Sequence, residues 1–235
     1  MEPILFYGVP SGCSFGSIVA LEWLDQPYRL CRIDMPEQVT SAAYRRINPV
    51  AETPTLMTAS GTTVSESMAI MNHVGARGID KGLGFAQGTP EFDRLNQVLA
   101  YLNTSLFSGF APLWYTLEHD VEQPAKDTLR AYGTAALTKA HADLEAMLEG
   151  NEWLLGQQRT LADAYFIGIA RWTKYHDVID RRNYPRVQGL FDKLEADPAV
   201  QFAHAIERGE PAHSSGSFKG EVSLEEALGL LKQVA

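Results

Sequence analysis

The stretch Asn48–Ser67, NPVAETPTLMTASGTTVSES, constrains this chain more than any other. Thr53-Pro54 opens a short apolar run, Thr55-Leu56-Met57. Proline is tolerated at the first position of a strand because only a terminal N–H donor is lost there. Ala59-Ser60-Gly61 makes a tight turn, and the run after it ends in Glu66-Ser67, so the two runs read as a β-hairpin. Helical spacing begins at once in Met68-Ala69-Ile70-Met71-Asn72-His73-Val74. The first N–H groups of a helix have no intrahelical acceptor and carry a partial positive field. A hairpin that runs straight into a serine-led helix therefore prepares a place to hold a carboxylate. The same letters also spell an ordinary strand, turn and capped helix.

Upstream, Ile4–Tyr7 reads as a buried strand ending at Gly8, followed by the turn Val9-Pro10-Ser11-Gly12-Cys13-Ser14. Ile18, Val19, Leu21 and Leu24 fall at helical spacing up to Gln26-Pro27, and Tyr28–Ile33 alternates as a strand does. Glu37–Ile47 reads as a modest helix stopped before Asn48-Pro49. The order is β-α-β-α-β-β-α, closing near Gly78. A glycine-rich stretch follows, and Thr89-Pro90-Glu91 then opens a helical series. Its members are about Pro90–Phe110, Pro124–Glu149, one after Thr160, Val187–Glu195 and one from Asp197-Pro198. No strand pattern is legible after Val64, and Gly209–Gly220 reads as a loop. Ser223-Leu224-Glu225-Glu226 is a capping box that opens a last amphipathic helix through Leu228, Leu230, Leu231 and Val234.

Composition removes several function classes. The net charge of −9 argues against a general nucleic-acid binder and offers no attraction to anionic lipid. No apolar run approaches the roughly 20 residues a membrane helix requires. The first residues lack the basic start and long apolar core of a signal peptide, and the two cysteines, Cys13 and Cys31, cannot make a disulfide framework. These features point to the cytosol. The six histidines are scattered, with no metal-ligand spacing.

Thr53-Pro54, Glu66-Ser67 and the element order together resemble the glutathione transferase family. The resemblance implies an α+β chain: an N-terminal thioredoxin-like βαβαββα domain and a C-terminal all-α helical bundle. It places the glutathione-binding domain at 1–80, a linker at 81–89, the helical domain at 90–207 and a C-terminal extension with a helix at 208–235. In the family a cis-proline begins the third strand, the residue before it pairs main chain to main chain with the cysteinyl unit of glutathione, and an acid and a serine hold the γ-glutamyl end. Carried over, these are Thr53, Pro54, Glu66 and Ser67. Thr53 stands where the family usually has Val or Ile, a departure that matters little to a backbone contact. Gly156 followed by Thr160-Leu161-Ala162-Asp163 is similar to the family's capping box at the start of its buried helix, a structural asset.

The family lowers the pKa of the glutathione thiol with a donor near the start of the first helix, aided by the helix field. Ser11, Cys13, Ser14 and Tyr7 are the groups within reach. Pro10-Ser11 sits where plant-type classes carry Pro-Ser, and Cys13 sits where the bacterial beta class carries its cysteine, so the catalytic candidates are Cys13 and Ser11. A cysteine in the first helical turn has a lowered pKa and can form a mixed disulfide with glutathione, which would add thiol-disulfide or peroxidase activity. It can equally be a small apolar core residue. In the run ending Gly109-Phe110-Ala111-Pro112-Leu113, Ser105 and Phe107 replace the beta class's Glu and His, so the class assignment is loose. Trp114, Tyr115 and Trp172 are candidates for an electrophile pocket, although aromatic stripes at helical spacing are also core. The implied partners are glutathione, a small hydrophobic electrophile and a second copy in a two-fold dimer, with no metal. Against this stands a binding or regulatory protein that kept the fold and lost catalysis. An isomerase of the zeta type is disfavoured, because its Ser-Ser-Cys signature is replaced by Ser11-Gly12-Cys13-Ser14.

Overall fold

Six consecutive buried residues, Ile4–Val9, form β1, the central strand of the first of two units in the computed structural model. Residues 1–9 and 12–234 are described. The first unit comprises residues 1–84 with 196 onward, and the second residues 85–195. β1 leads to α1 (Phe15–Leu24), all ten residues of which are buried, and then pairs parallel with β2 (Tyr28–Asp34), Phe6 lying opposite Cys31. It pairs antiparallel with β3 (Thr55–Met57), which pairs antiparallel with β4 (Thr63–Ser65). α2 (Ser67–Gly75) follows directly and packs on α1. The expected helix at Glu37–Ile47 is not formed. The segment is a series of turns with one 3-10 turn at Tyr44–Arg46. Thr40 Oγ1 donates to the carbonyls of Pro36 and Glu37, and Ser41 Oγ accepts from Tyr44 N at 3.1 Å. These short side chains compete locally with the helical ladder.

In the second unit Thr89 accepts from Phe92 N at 3.2 Å and starts α3 (Pro90–Tyr101). The helix does not end near Phe110. A π-helical segment, Leu102–Phe107, continues into α4 (Ser108–Glu118), which holds Pro112. Proline lacks an N–H and crowds the carbonyl four residues back, and the widened turn lies just before that point. α5 (Gln123–Met147) is the longest helix of this unit and packs on α4. α6 (Leu161–Ala170) is buried throughout, and α7 (Trp172–His176) and α8 (Pro185–Glu195) complete the unit. The capping box at α6 is present: Thr160 Oγ1 accepts from Ala162 N at 3.3 Å, and Asp163 Oδ2 accepts from Thr160 N at 2.7 Å. Asp163 Oδ1 also accepts from Leu154 N at 3.0 Å, so one carboxyl ties the turn at 152–156 to the helix. Burial pushes this carboxyl up to about 6, against the N–H donors that pull it down.

The chain then returns to the first unit. α9 (Pro198–Arg208) packs on α1. The segment expected to be a loop holds a strand, β5 (Phe218–Glu221), parallel to β2, which gives the sheet order β4-β3-β1-β2-β5. Its four residues, Phe-Lys-Gly-Glu, carry no alternation a reader could use. They form a strand because the edge of β2 offers unpaired N–H and C=O groups. α10 (Leu224–Val234) lays Leu224, Ala227 and Leu228 on Ile4, Phe6, Cys31 and Ile33. The buried carboxylate of Glu22 fastens this return. It accepts from Tyr28 Oη at 2.6 Å, Ser214 Oγ at 2.8 Å and Ser215 N at 2.8 Å. No helix among the described residues is long and apolar enough to cross a membrane.

Two substitutions test this reading. Asp163→Ala leaves the N–H groups of Leu154 and Thr160 without their buried acceptor and is expected to cost about 3 kcal/mol in urea unfolding. Glu22→Ala strands Tyr28 and the segment at 214–215. It is expected to cost roughly 2–3 kcal/mol and to expose the bond after Arg208 to limited proteolysis before the rest of the chain is cut.

Candidate functional site

Short strands bring the sequence candidates to one end of the sheet in the first unit. Thr55 of β3 lies opposite Ser65 of β4. In an antiparallel pair the residues before the one and after the other run side by side, so Thr53-Pro54 and Glu66-Ser67 leave the ladder together. The Thr53–Pro54 peptide is cis, with Pro54 buried and Thr53 half-buried. Glu66, exposed, is the N-cap of α2 with a positive φ of 71°, uncommon for a residue with a side chain. Ser67 is the first residue of α2 and is buried.

Gly8, at the end of β1, closes the third side. A methyl group placed on Gly8 would fall 2.3 Å from Thr53 Oγ1, and one on Gly12 would fall 2.8 Å from Gly8 O. Gly12, beside Cys13, is thereby close to Gly8, and Gly8 itself lies against Thr53. Gly8 N donates to Ser14 Oγ at 3.1 Å. Cys13, half-buried, lies in this turn two residues before α1, not in its first helical turn as expected. Pro10 and Ser11 lie outside the described residues, and with them the candidate role of Ser11.

Two other groups once within reach of a thiol are held inside the fold. Tyr7 is buried and donates from Oη to Glu221 Oε1 at 2.6 Å. Burial first, and then this carboxylate, push its phenol far up. Ser14 is fully buried and occupied with Gly8. The second cysteine is also withdrawn, since burial, then Glu221 and Glu226, push the Cys31 thiol up to about 12.

A buried polar knot supports the segment, and sequence reasoning passed it over. Tyr44 Oη donates to Glu52 O at 2.8 Å and lies 3.0 Å from Thr55 Oγ1, while Asn48 Nδ2 donates to Glu52 O at 2.9 Å and to Thr55 Oγ1 at 3.2 Å. The glycine directly after an apolar strand run was the legible signal for the Gly8 contact. The knot had no local signal.

In the second unit, Trp172 is buried among Phe107 at 5.6 Å, Phe110 at 5.6 Å and Trp114 at 5.4 Å between ring centres. Trp114 also stacks on Tyr175 at 5.2 Å and meets His176 edge-on at 4.4 Å. Tyr115 stands apart from this cluster, 48% exposed and stacked on His119 at 4.1 Å. His176 Nε2 and Thr173 Oγ1 are buried without a hydrogen-bond partner. Burial, and then Arg130, push the His176 imidazole down, so it is neutral near pH 7. No group of three or more His, Cys, Asp or Glu among the described residues is placed to hold a metal ion.

The Gly8 contact yields a direct test. The side chain of Thr53 is β-branched and stiff, so Gly8→Ala must displace the segment itself. It is expected to cost about 1–3 kcal/mol in urea unfolding. Gly189→Ala, in α8 with open space around it, should leave stability unchanged or slightly higher.

Comparison with known proteins bears on the family and the fold. The glutathione S-transferase N-terminal domain matches residues 10–77, and the glutathione S-transferase C-terminal domain matches residues 106–202, together more than half of the chain. Glutathione S-transferase GstA of Escherichia coli O157:H7 is 27% identical over 205 residues, 86% of this chain and 98% of that protein. Glutathione S-transferase GST-4.5 of Xanthomonas campestris pv. campestris is 26% identical over 197 residues, 84% of this chain and 95% of that one. A sphingomonad glutathione S-transferase, solved in complex with glutathione, superposes with a TM-score of 0.76 at 25% identity, covering 87% of this chain and 98% of its own. With the thioredoxin-like sheet, the helical second unit and both matched domains in sequence order, the chain belongs to the glutathione S-transferase family.

Proposed function

We propose that this protein binds reduced glutathione at the end of the sheet in the first unit and joins its sulfur to a small hydrophobic electrophile. One observation supports the reading: the cis Thr53–Pro54 peptide and the Glu66-Ser67 start of α2 leave the β3–β4 ladder together, and Gly8, on which Gly12 closes, lies against Thr53. The main chain of Thr53 would pair with the cysteinyl unit, Pro54 holding that edge open. The N–H groups at the start of α2, the Ser67 hydroxyl and the Glu66 carboxylate would take the γ-glutamyl carboxylate and ammonium. Cys13 or Ser11 would donate a hydrogen bond to the sulfur and stabilise the thiolate, which attacks the electrophilic carbon. A C–S bond forms as the leaving group departs with the electron pair of its bond. Cys13 as a thiolate could instead exchange with a glutathione disulfide, releasing one glutathione thiolate.

Residues 1–80 would serve as the glutathione-binding domain and 90–207 as the family's helical domain, with 81–89 as linker and 208–235 as extension. Trp114 would supply apolar surface to the electrophile, with the buried Trp172 packed behind it. Tyr115, apart from them, would contribute from the rim. A two-fold dimer fits the family resemblance, and the cytosol fits a chain with two cysteines and no disulfide framework.

Calorimetric titration with reduced glutathione is expected to show one site per chain. Glu66→Ala and Ser67→Ala should each weaken binding by roughly 10- to 100-fold, the range for a hydrogen bond to a charged group. Cys13→Ala should abolish disulfide exchange while binding persists. Unchanged affinity in both of the first two variants would overturn the γ-glutamyl assignment. Absence of binding to the unaltered protein would move the reading to a non-catalytic relative with another ligand.

A further inference from the structure

Two hydroxyls near the end of β1 are already committed. Tyr7 Oη donates to Glu221 Oε1 at 2.6 Å. Ser14 Oγ, fully buried, accepts from Gly8 N at 3.1 Å. A third is not committed. Thr53 Oγ1 lies against the point where a methyl group on Gly8 would sit, and it makes no hydrogen bond among the described residues. The next nearest atoms to that point are Met35 Cγ and Sδ, each at 3.4 Å, and a thioether has no proton to give. Gly8 thus leaves room for the Thr53 side chain, and the side chain it seats ends in a free donor.

A hydroxyl here does something that packing alone does not require. Valine has the same shape and the same stiff χ1, and would fill the space beside Gly8 with no polar atom. Thr53 is half-buried, so its hydroxyl has lost part of its hydration and gains no partner inside the fold in return. The proposed glutathione contact supplies the partner. The main chain of Thr53 is the edge assigned to the cysteinyl unit. Where two extended segments pair main chain to main chain, directly opposite residues project their side chains from the same face, with Cβ atoms about 4.5–5.5 Å apart. The threonine Oγ1 and the cysteinyl Sγ each stand one bond beyond Cβ, which brings the two atoms within hydrogen-bonding reach. A donor at that position binds a thiolate more strongly than a thiol, because the charged sulfur is the better acceptor.

We propose that the Thr53 hydroxyl donates a hydrogen bond to the glutathione sulfur, as a second donor beside that of Cys13 or Ser11. The inference rests on the glutathione reading above and deepens it, giving a role to the side chain of a residue which that reading uses through its backbone alone.

The test is the ionisation of bound glutathione, followed by thiolate ultraviolet absorbance as the pH is raised. The reference is the same protein saturated with S-methylglutathione, which has no thiol to ionise, so the protein's own cysteines cancel. In the parent the bound thiol is expected to ionise below the value of about 8.5 of a free thiol. Thr53→Val should raise that pKa by about one unit, a tenfold change equivalent to about 1.4 kcal/mol. Its affinity for glutathione should be unchanged at low pH, where the bound sulfur is protonated and the main-chain edge is intact. At high pH the affinity should fall by the same tenfold factor, by linkage. Thr53→Ser, which keeps the hydroxyl, should return the pKa most of the way to that of the parent. An unchanged pKa in Thr53→Val overturns the proposal, and so does an equal rise in both variants, which would assign the effect to packing. If glutathione does not bind the parent at all, the glutathione reading fails and this proposal falls with it; binding with an unmoved pKa in Thr53→Val fails this proposal alone.

Discussion

The site depends on a ladder only three residues long. β3 and β4 exchange few hydrogen bonds, yet the pairing of Thr55 with Ser65 sets where Thr53-Pro54 and Glu66-Ser67 emerge. A slip of one residue would turn every side chain of β3 to the opposite face, exchanging Leu56 and Met57, both buried, between two differently packed faces. The buried knot of Tyr44, Asn48 and Thr55 restrains the same segment from behind. Hydrophobic register and a few satisfied polar groups thus position the main-chain edge of the candidate site.

The end of the chain completes the unit that its beginning starts. β5 covers the edge of β2, α10 covers the Ile4 and Phe6 face, and Glu22 fastens the connecting segment through three donors. A buried carboxylate is costly unless its lone pairs are met, and here the N–H and O–H groups of the returning segment meet them. The same return withdraws Tyr7 from any chemistry at the thiol, because its hydroxyl is committed to Glu221. What remains near the candidate sulfur position is Gly12–Ser14, tied to Gly8 through Ser14 Oγ, with Gly8 close against Thr53.

Much of this was legible in the chain itself. The strands and helices of the first 78 residues follow from periodicity, except at 37–47, where Thr40 and Ser41 hydrogen-bond locally and defeat a helical pattern. The capping box at Thr160 and Asp163 is a local motif and was read as one. Its third contact, to Leu154, depends on a turn packing against the helix and has no local signature. The continuation of α4 through Pro112 was hidden for a related reason: a proline signals a break, and the neighbouring helices and the π-helical segment accommodate it.

The sequence by itself determined the hairpin opened by Thr53-Pro54 and the serine-led helix, because hydrophobic period, turn residues and capping preferences act over a few neighbouring positions; the cis form of that peptide and the class of the fold followed from the family resemblance. Tertiary structure alone decided that residues 218–221 form a strand, that Tyr7 serves Glu221, that Trp114 joins Trp172 while Tyr115 does not, and that Gly8 must be small. Each of those outcomes joins groups distant in the chain or depends on which face of an element meets a neighbour. Such contacts form only when packing has set the distances, and no window of local sequence contains them.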